Sequence, residues 1–170
     1  MKLFLKHFYT IFIILFIILS VPSNAQQNQK LVQNLTENSD LILEGKVVKQ
    51  SSRWNSDKSR IYTDVSLEVE EYLKGNKGNK TITVTTLGGE VDGVGELYSH
   101  MPTFKNDEEV LLFVKKDKEG DNYKVLDGED GKMTLNRDKV TGEKIGFSNK
   151  KVSTIKNEIK SYLVKQNKQY

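Results

Sequence analysis

The 170-residue sequence predicts a mainly β protein, a small β-barrel or sandwich flanked by two helices. Six or seven short strand-like runs are separated by turn-forming residues, which is typical of such folds. Residues 61–69 alternate apolar and polar side chains, as in a strand with one buried face. Residues 152–163 carry an apolar stripe at helical spacing. Because strands and helices do not alternate along the chain, a parallel α/β sheet is disfavoured.

The first 25 residues have the layout of a secretory signal peptide. A start with two lysines precedes an unbroken apolar run at residues 11–19, and residues 20–25 end in the small residues of a cleavage site. The apolar run is short for a membrane span of about 20 residues. We therefore expect cleavage after Ala25 rather than anchoring, and a secreted or periplasmic protein that does not insert in the membrane. The remainder, 26–170, has the length of one domain.

Composition narrows the function classes. Apart from the two lysines of the signal segment, 24 Lys and Arg stand against 23 Asp and Glu. This near-neutral balance provides no broad basic surface for nucleic acid or anionic lipid. Cysteine is absent from the sequence, so the fold depends on core burial rather than disulfides. The same absence excludes thiol nucleophiles, cysteine-based zinc sites and thiol redox chemistry.

The first half of the chain predicts a helix followed by two long strands. Residues 28–38 have apolar side chains at helical spacing, and those of residues 40–50 share one face of a strand. Polar residues 51–59 indicate a hairpin connection, and the alternating strand follows from residue 61. The alternation changes phase at residues 69–73, which indicates a bulge or the end of the strand.

The second half predicts shorter strands and a final helix. The β-branched run at residues 80–87 indicates the next strand, and the continuous apolar run at 109–114 indicates a central strand buried on both faces. Turn residues separate three further short strands, at 123–126, 133–135 and 144–147. An amphipathic helix is predicted over about 151–167, with Ile155 and Ile159 buried against the strands.

Residues 88–96, Gly-Gly-Glu-Val-Asp-Gly-Val-Gly-Glu, contain four glycines. A phosphate-binding loop needs Lys and then Ser or Thr after its last glycine, at the start of a helix. Here the last glycine is followed by Glu96, and the acidic residues would repel an anion. We interpret the four glycines as structural, with at least one at positive φ or packed where a Cβ would clash. They are Gly88, Gly89, Gly93 and Gly95.

Two kinds of site remain as alternatives. Glu90, Asp92 and Glu96 provide the oxygen ligands that calcium prefers, although their spacing matches no loop with known ligand positions. His100 is the single histidine after the signal segment and invites a hydrolase hypothesis with the adjacent Ser99. Neighbouring side chains on a strand point to opposite faces, however, and a triad needs groups that converge in space. We therefore predict no resident cofactor.

The order of several segments carries a resemblance. They run from Ser39-Asp40-Leu41-Ile42 through Glu44-Gly45-Lys46-Val47, Ile61-Tyr62-Thr63, residues 69–75, the glycine stretch and Pro102-x-Phe104 to residues 108–113. This series resembles an uncharacterised family of exported bacterial domains, over about residues 31 to 135. Its opening is also similar to netrin-like domains, which include the tissue inhibitors of metalloproteinases.

The resemblance implies an OB-like barrel with flanking helices. Metalloproteinase inhibitors of that kind place a free N-terminal cysteine on the protease zinc, and netrin-like domains are tied by disulfides. Because this chain has no cysteine, the resemblance implies the fold and not the inhibition.

We therefore expect an exported, non-enzymatic binding or protein-interaction domain on an OB-like barrel. Its contact surface is expected to include aromatic residues near the glycine stretch, together with the lone histidine: Trp54, Tyr98, His100 and Phe104. The expected partner is another exported or envelope protein. A calcium-dependent or small-ligand module is the alternative, and a small hydrolase is the third class.

Overall fold

A computed structural model describes residues 24–75, 78–117 and 122–167. The predicted signal peptide, residues 1–25, lies outside the described residues except for its last two positions. The described residues from Val32 onward form one compact unit. No helix within the described residues is long and apolar enough to cross a membrane.

Strands dominate the chain, and one helix lies at each end of the described part. The elements are, in chain order, α1 Asn24–Asn38, β1 Leu41–Trp54, β2 Ile61–Lys74, β3 Thr81–Leu87, β4 Gly89–Val91, β5 Val94–Glu96, β6 Glu109–Lys116, β7 Tyr123–Val125, β8 Lys132–Thr134, β9 Asn136–Arg137, β10 Lys144–Ile145 and α2 Val152–Asn167. Short 3-10 helices lie at Gly128–Gly131 and Phe147–Asn149. The observed α2 begins one residue later than the predicted helix.

The strands close into a five-stranded barrel, which confirms the predicted OB-like fold class. The order is β1-β2-β3-β7-β6, and β6 pairs back to β1. Neighbouring strands are antiparallel except β3 and β7, which run parallel and meet at Val84 and Tyr123. Strand β8 adds to β6 beside the barrel. A closed five-stranded arrangement of this kind is an OB-like barrel.

The hairpin connection between β1 and β2 is shorter than the sequence predicts. Residues 51–54 belong to β1 and pair with residues 61–64 of β2, so the connection is residues 55–60. Polar cross-strand pairs hold this part of the ladder, since Arg53 bonds Asp64 and Ser52 lies 2.9 Å from Thr63 through their hydroxyl oxygens. Here β2 also pairs with β3, whereas β1 beyond Lys46 pairs with β2 alone among the described strands. Residues 51–54 therefore form an edge of the sheet, where polar side chains are tolerated.

Bulges in its ladder with β2 accompany the pairing of β1 with two strands. Its first half pairs with both β2 and β6, and the register against β2 shifts near Ile42, Glu44 and Val47. Such shifts bend a strand and increase its twist. The predicted phase change at residues 69–73 lies in this ladder, where β2 continues to Lys74 instead of ending.

The barrel strands are buried on both faces near α2. The interior cluster comprises Leu41, Leu43, Val47, Val65, Leu67, Ile82, Val84, Val110, Leu112 and Val114. Alternation turns Leu111 and Phe113 of β6 outward, yet both are fully buried. Helix α2 packs against β2 and β10, and its Ile155 and Ile159 are buried as its apolar stripe predicts.

Candidate functional site

The glycine stretch forms a β-hairpin. Strands β4 and β5 pair with each other, with Gly89 opposite Glu96. Asp92 and Gly93 form the two-residue turn, and both have positive φ, 52° and 78°. A type I′ hairpin turn requires positive φ at both positions, and Asp-Gly is a preferred pair for it. The stretch is therefore a small hairpin that stands at the end of β3.

Two glycines at the base of this hairpin allow close packing. Gly88 has φ 98°, and a Cβ there would lie 2.8 Å from the carbonyl oxygen of Glu96. Gly89 has φ 133°, and a Cβ there would lie 2.5 Å from Ser52 Oγ and closer still to Thr63 Oγ1. Gly95 differs from them, because its φ lies outside the left-handed region and the nearest atom to its Cβ position is 3.9 Å away.

We expect Gly89→Ala to lower the free energy of unfolding by about 2 kcal/mol, because the methyl group meets two hydroxyl groups and the backbone is strained. Gly95→Ala, in the same hairpin, should change it by less than about 0.5 kcal/mol. Urea denaturation of both variants measures the difference. Equal unfolding midpoints in both variants and the parent would contradict the packing described for Gly89.

A groove of about 510 Å³ opens between the hairpin and residues 97–104. Hairpin backbone forms part of its wall, and the apolar part consists of Leu87, Leu97, Met101, Pro102 and Phe104. A second hollow of about 250 Å³ adjoins it and shares residues 86–87 and 101–102 with it. We call the larger hollow the hairpin groove and the smaller one the β3 hollow.

The hairpin groove contains two of the four predicted contact residues. Tyr98 and Phe104 line it, whereas Trp54 and His100 do not. Trp54 ends β1 opposite Ile61 of β2. His100 is exposed, and its Nδ1 lies 3.1 Å from Glu129 Oε1 in the neighbouring 3-10 helix.

Hydrogen bonds fix Tyr98 at the rim of the hairpin groove. Its hydroxyl donates to Glu96 Oε2 at 2.8 Å and accepts from Arg60 Nη1 at 2.9 Å. The same carboxylate oxygen accepts from the Ile61 backbone N–H at 2.9 Å. The hydrogen bonds that the carboxylate accepts from Ile61 and Tyr98 lower the pKa of Glu96, and the bond from Ile61 has the larger effect. The carboxylate is thus held ionised, and the Tyr98 ring has a set position.

Phe104 is also held in place. Its ring packs against the interior cluster of the barrel. Lys132 Nζ lies 4.8 Å from the ring centroid, donates to the Thr103 carbonyl oxygen at 2.6 Å and pairs with Glu108 Oε1 at 2.7 Å. Burial alone would raise the pKa of Glu108, but hydrogen bonds from Lys132 and Thr134 outweigh it, so the pKa is lowered. The floor of the hairpin groove is therefore preformed.

The three carboxylates of the calcium hypothesis lie on the hairpin without sharing a centre. Glu90 and Asp92 are exposed, whereas Glu96 is turned toward Ile61 and Tyr98. Within the described residues, the carboxylates close enough to share a cation lie elsewhere, in the set Glu44, Glu70 and Glu109. Calcium binding at the hairpin stays a prediction, which thermal unfolding with and without calcium tests.

A charge cluster around the buried Glu44 lies between the barrel and α2. It comprises Glu44, Glu70, Glu71, Glu109, Lys144 and Lys156. Lys144 Nζ lies 2.7 Å from Glu44, 2.8 Å from Glu70 and 2.6 Å from Glu109. Lys156 of α2 contacts Glu44 and lies 2.8 Å from Glu71. The Lys144 ammonium group therefore stands where the three carboxylates converge.

Ionisation in the charge cluster favours a structural role. Burial alone would lower the pKa values of Lys144 and Lys156, but the hydrogen bonds that these lysines donate to their carboxylate partners outweigh it and raise both. Burial alone would raise the pKa of Glu44, but both lysines reverse the effect. A lysine nucleophile needs a lowered pKa and a general acid a raised one. The shifts run the opposite way, and the ion pairs of Lys156 with Glu44 and Glu71 link α2 to β1 and β2.

Sequence reasoning missed most of the apolar wall and the charge cluster. The pair Asp92-Gly93 between two short runs was a hairpin signal. Lys156 shares a helical face with Val152 and Ile159, so its orientation toward the barrel could also have been predicted. Lys144 follows a turn in a two-residue strand, and nothing local predicts its partners.

The geometry defines a class of protein, an OB-like barrel with a preformed and largely apolar groove beside a β-hairpin. The chain matches no protein-family model and no curated protein.

Proposed function

We propose that the protein is an exported, non-enzymatic interaction domain that binds another protein in the hairpin groove. The observation that carries the proposal is the exposure of Leu97, 88% of whose surface is open to water at the rim of an apolar groove. A large exposed apolar side chain beside a concave apolar surface is typical of a binding site.

The rigidity of the hairpin groove supports this proposal. Binding costs conformational entropy for every side chain that must be ordered, and preformed sites avoid part of that cost. Tyr98 and Phe104 are held by hydrogen bonds and by packing before any partner arrives. Aromatic side chains at the centre of a site contribute a large share of the binding energy in protein complexes.

Charge favours a protein over a nucleic acid as the partner. OB-like barrels often bind oligonucleotides on the face that includes their second and third strands. The hairpin groove borders β3, but Glu90 and Glu96 line it and would repel phosphate groups. The signal-peptide layout and the resemblance to exported bacterial domains favour a partner in the cell envelope or outside the cell.

We expect Leu97→Asp to reduce partner binding at least tenfold and to leave thermal unfolding unchanged, because the side chain contributes little to the folded core. Val140→Asp is the matched control, since Val140 is 92% exposed and lies in the turn between β9 and β10. The measurement is retention of exported and envelope proteins of the source cell by each immobilised variant, followed by the affinity of the retained protein. Equal affinity of the parent and Leu97→Asp would overturn the proposal.

A further inference from the structure

Strand β3 has an open edge at its C-terminal end. It pairs with β2 along its whole length, with Thr85 opposite Asp64 and Leu87 opposite Tyr62. On its other side it meets β7 only where Val84 faces Tyr123. Beyond that point the two parallel strands separate. Within the described parts of the chain, no strand pairs with residues 85–87 on this side.

The β3 hollow lies at this open edge. Residues 85–87 line one side of it, Lys124 and Val125 of β7 line the other, and Met101 and Pro102 close one end. Pro102 has no N–H group, so it cannot donate a hydrogen bond to the edge of β3. Its carbonyl oxygen instead lies 3.5 Å from the hydroxyl of Thr86. The hollow continues into the hairpin groove through the residues that the two share.

On the basis of the proposed function, we propose that the partner supplies an extended segment that adds as a strand to the open edge of β3. Exposed sheet edges take up extended peptides through backbone hydrogen bonds, and pockets beside the edge select side chains. Here the hairpin groove is the pocket, and its Leu87 and Phe104 receive an apolar side chain of the segment.

The charge of the hairpin groove specifies a basic segment. Glu90 lines the groove, is exposed and takes part in no ion pair found among the described residues. Glu96 is already satisfied by Ile61 and Tyr98, so Glu90 is the carboxylate open to a partner. Asp92 adds a second exposed carboxylate at the hairpin turn. A lysine or arginine on the segment complements both charges.

Two pools of synthetic octapeptides test this inference by NMR titration of the isotope-labelled protein. In one pool Val, Ile, Leu or Phe alternates with Lys or Arg, and in the other the basic residues are replaced by Asp or Glu. We expect the basic pool to shift the backbone amide signals of residues 85–87 and Leu97, and to bind at least tenfold more tightly than the acidic pool. Glu90→Lys should abolish this preference, whereas Glu68→Lys, at an exposed position of β2, should keep it.

Backbone methylation of the best-binding peptide separates strand pairing from other modes. In a strand, alternate N–H groups point to the same neighbour. Methylation at alternate nitrogens should therefore abolish binding in one register and leave it within about threefold in the other. Equal effects in both registers, or equal binding of the two pools, would overturn the inference and leave the groove as a protein-binding site. Equal affinity of the parent and Leu97→Asp for the captured partner would instead overturn the proposed function itself.

Discussion

Ile159→Asp is expected to lower the free energy of unfolding by at least about 4 kcal/mol, the sum of a core truncation and the burial of an unpaired carboxylate. Ile159 is fully buried between α2 and the barrel, and Ile155, one turn earlier, is buried beside it. An aspartate there either stays buried without a partner or detaches the helix. Either outcome weakens the packing of α2 against β2 and β10.

Val164→Asp is the matched control on the same helix. Val164 is 53% exposed, so the substitution removes little buried surface and should change the unfolding free energy by about 0.5 kcal/mol at most. Chemical denaturation followed by tryptophan fluorescence measures both variants, with Trp54 as the single tryptophan. An Ile159→Asp variant as stable as the control would mean that α2 does not contribute to the core.

The parts of the fold that sequence predicted are those with a local signature. Alternation in β2 and the apolar stripe of α2 each lie within one continuous segment, so side-chain pattern alone reveals them. The parallel contact between Val84 and Tyr123 joins residues far apart in the chain. Nothing in either short segment encodes that pairing, so the strand pattern left a barrel and a sandwich as alternatives, and the resemblance to OB-like domains favoured the barrel.

In the candidate site, too, the features with a local sequence signature were predicted and those that depend on long-range packing were not. The four glycines of residues 88–96 predicted backbone dihedral angles that other residues disfavour, and three of the four have positive φ. Tyr98 and Phe104 were expected near the glycine stretch and both line the groove, but no local pattern showed that Leu87 and Leu97 form part of its apolar wall. His100 was chosen for its chemistry, but its position at φ 62° turns it toward Glu129 and away from that groove. Residue type predicts what a side chain can do, whereas its location depends on long-range packing.

Lys144→Met is expected to lower the free energy of unfolding by about 3 kcal/mol at neutral pH, the low end for a buried ion pair that loses one partner. The low end applies because the Lys144 side chain is 21% exposed, although that of Glu44 is only 3% exposed. Without the ammonium group, Glu70 loses its ion-pair partner among the described residues, while Glu44 retains Lys156 alone and Glu109 retains Arg137 alone. Lys46→Met is the control, because Lys46 pairs with Asp107 at 2.6 Å on the surface. Loss of such an exposed ion pair should change the free energy of unfolding by less than about 1 kcal/mol.

The difference between Lys144→Met and the parent should depend on pH. In the parent the pKa values of Glu44 and Glu109 are lowered, so their contribution to stability is present above the ordinary value of 4.5 and is lost as the pH falls through the folded-state values. In the variant the carboxylates repel each other, and protonation relieves the repulsion. The stability difference is therefore largest near pH 7 and narrows below about pH 4.5.

A divalent cation should partly restore Lys144→Met. The carboxylate oxygens of Glu44, Glu70 and Glu109 lie within 4.8 Å of one another. Oxygen ligands 2.3–2.6 Å from a calcium ion can be separated by up to about 5 Å, so one ion can contact all three groups. Millimolar calcium should raise the melting temperature of the variant by more than it raises that of the parent, because the ion binds only the folded state. Equal shifts in the two proteins, or a variant as stable as the parent at pH 7, would contradict the role of Lys144 as the cation that these carboxylates require.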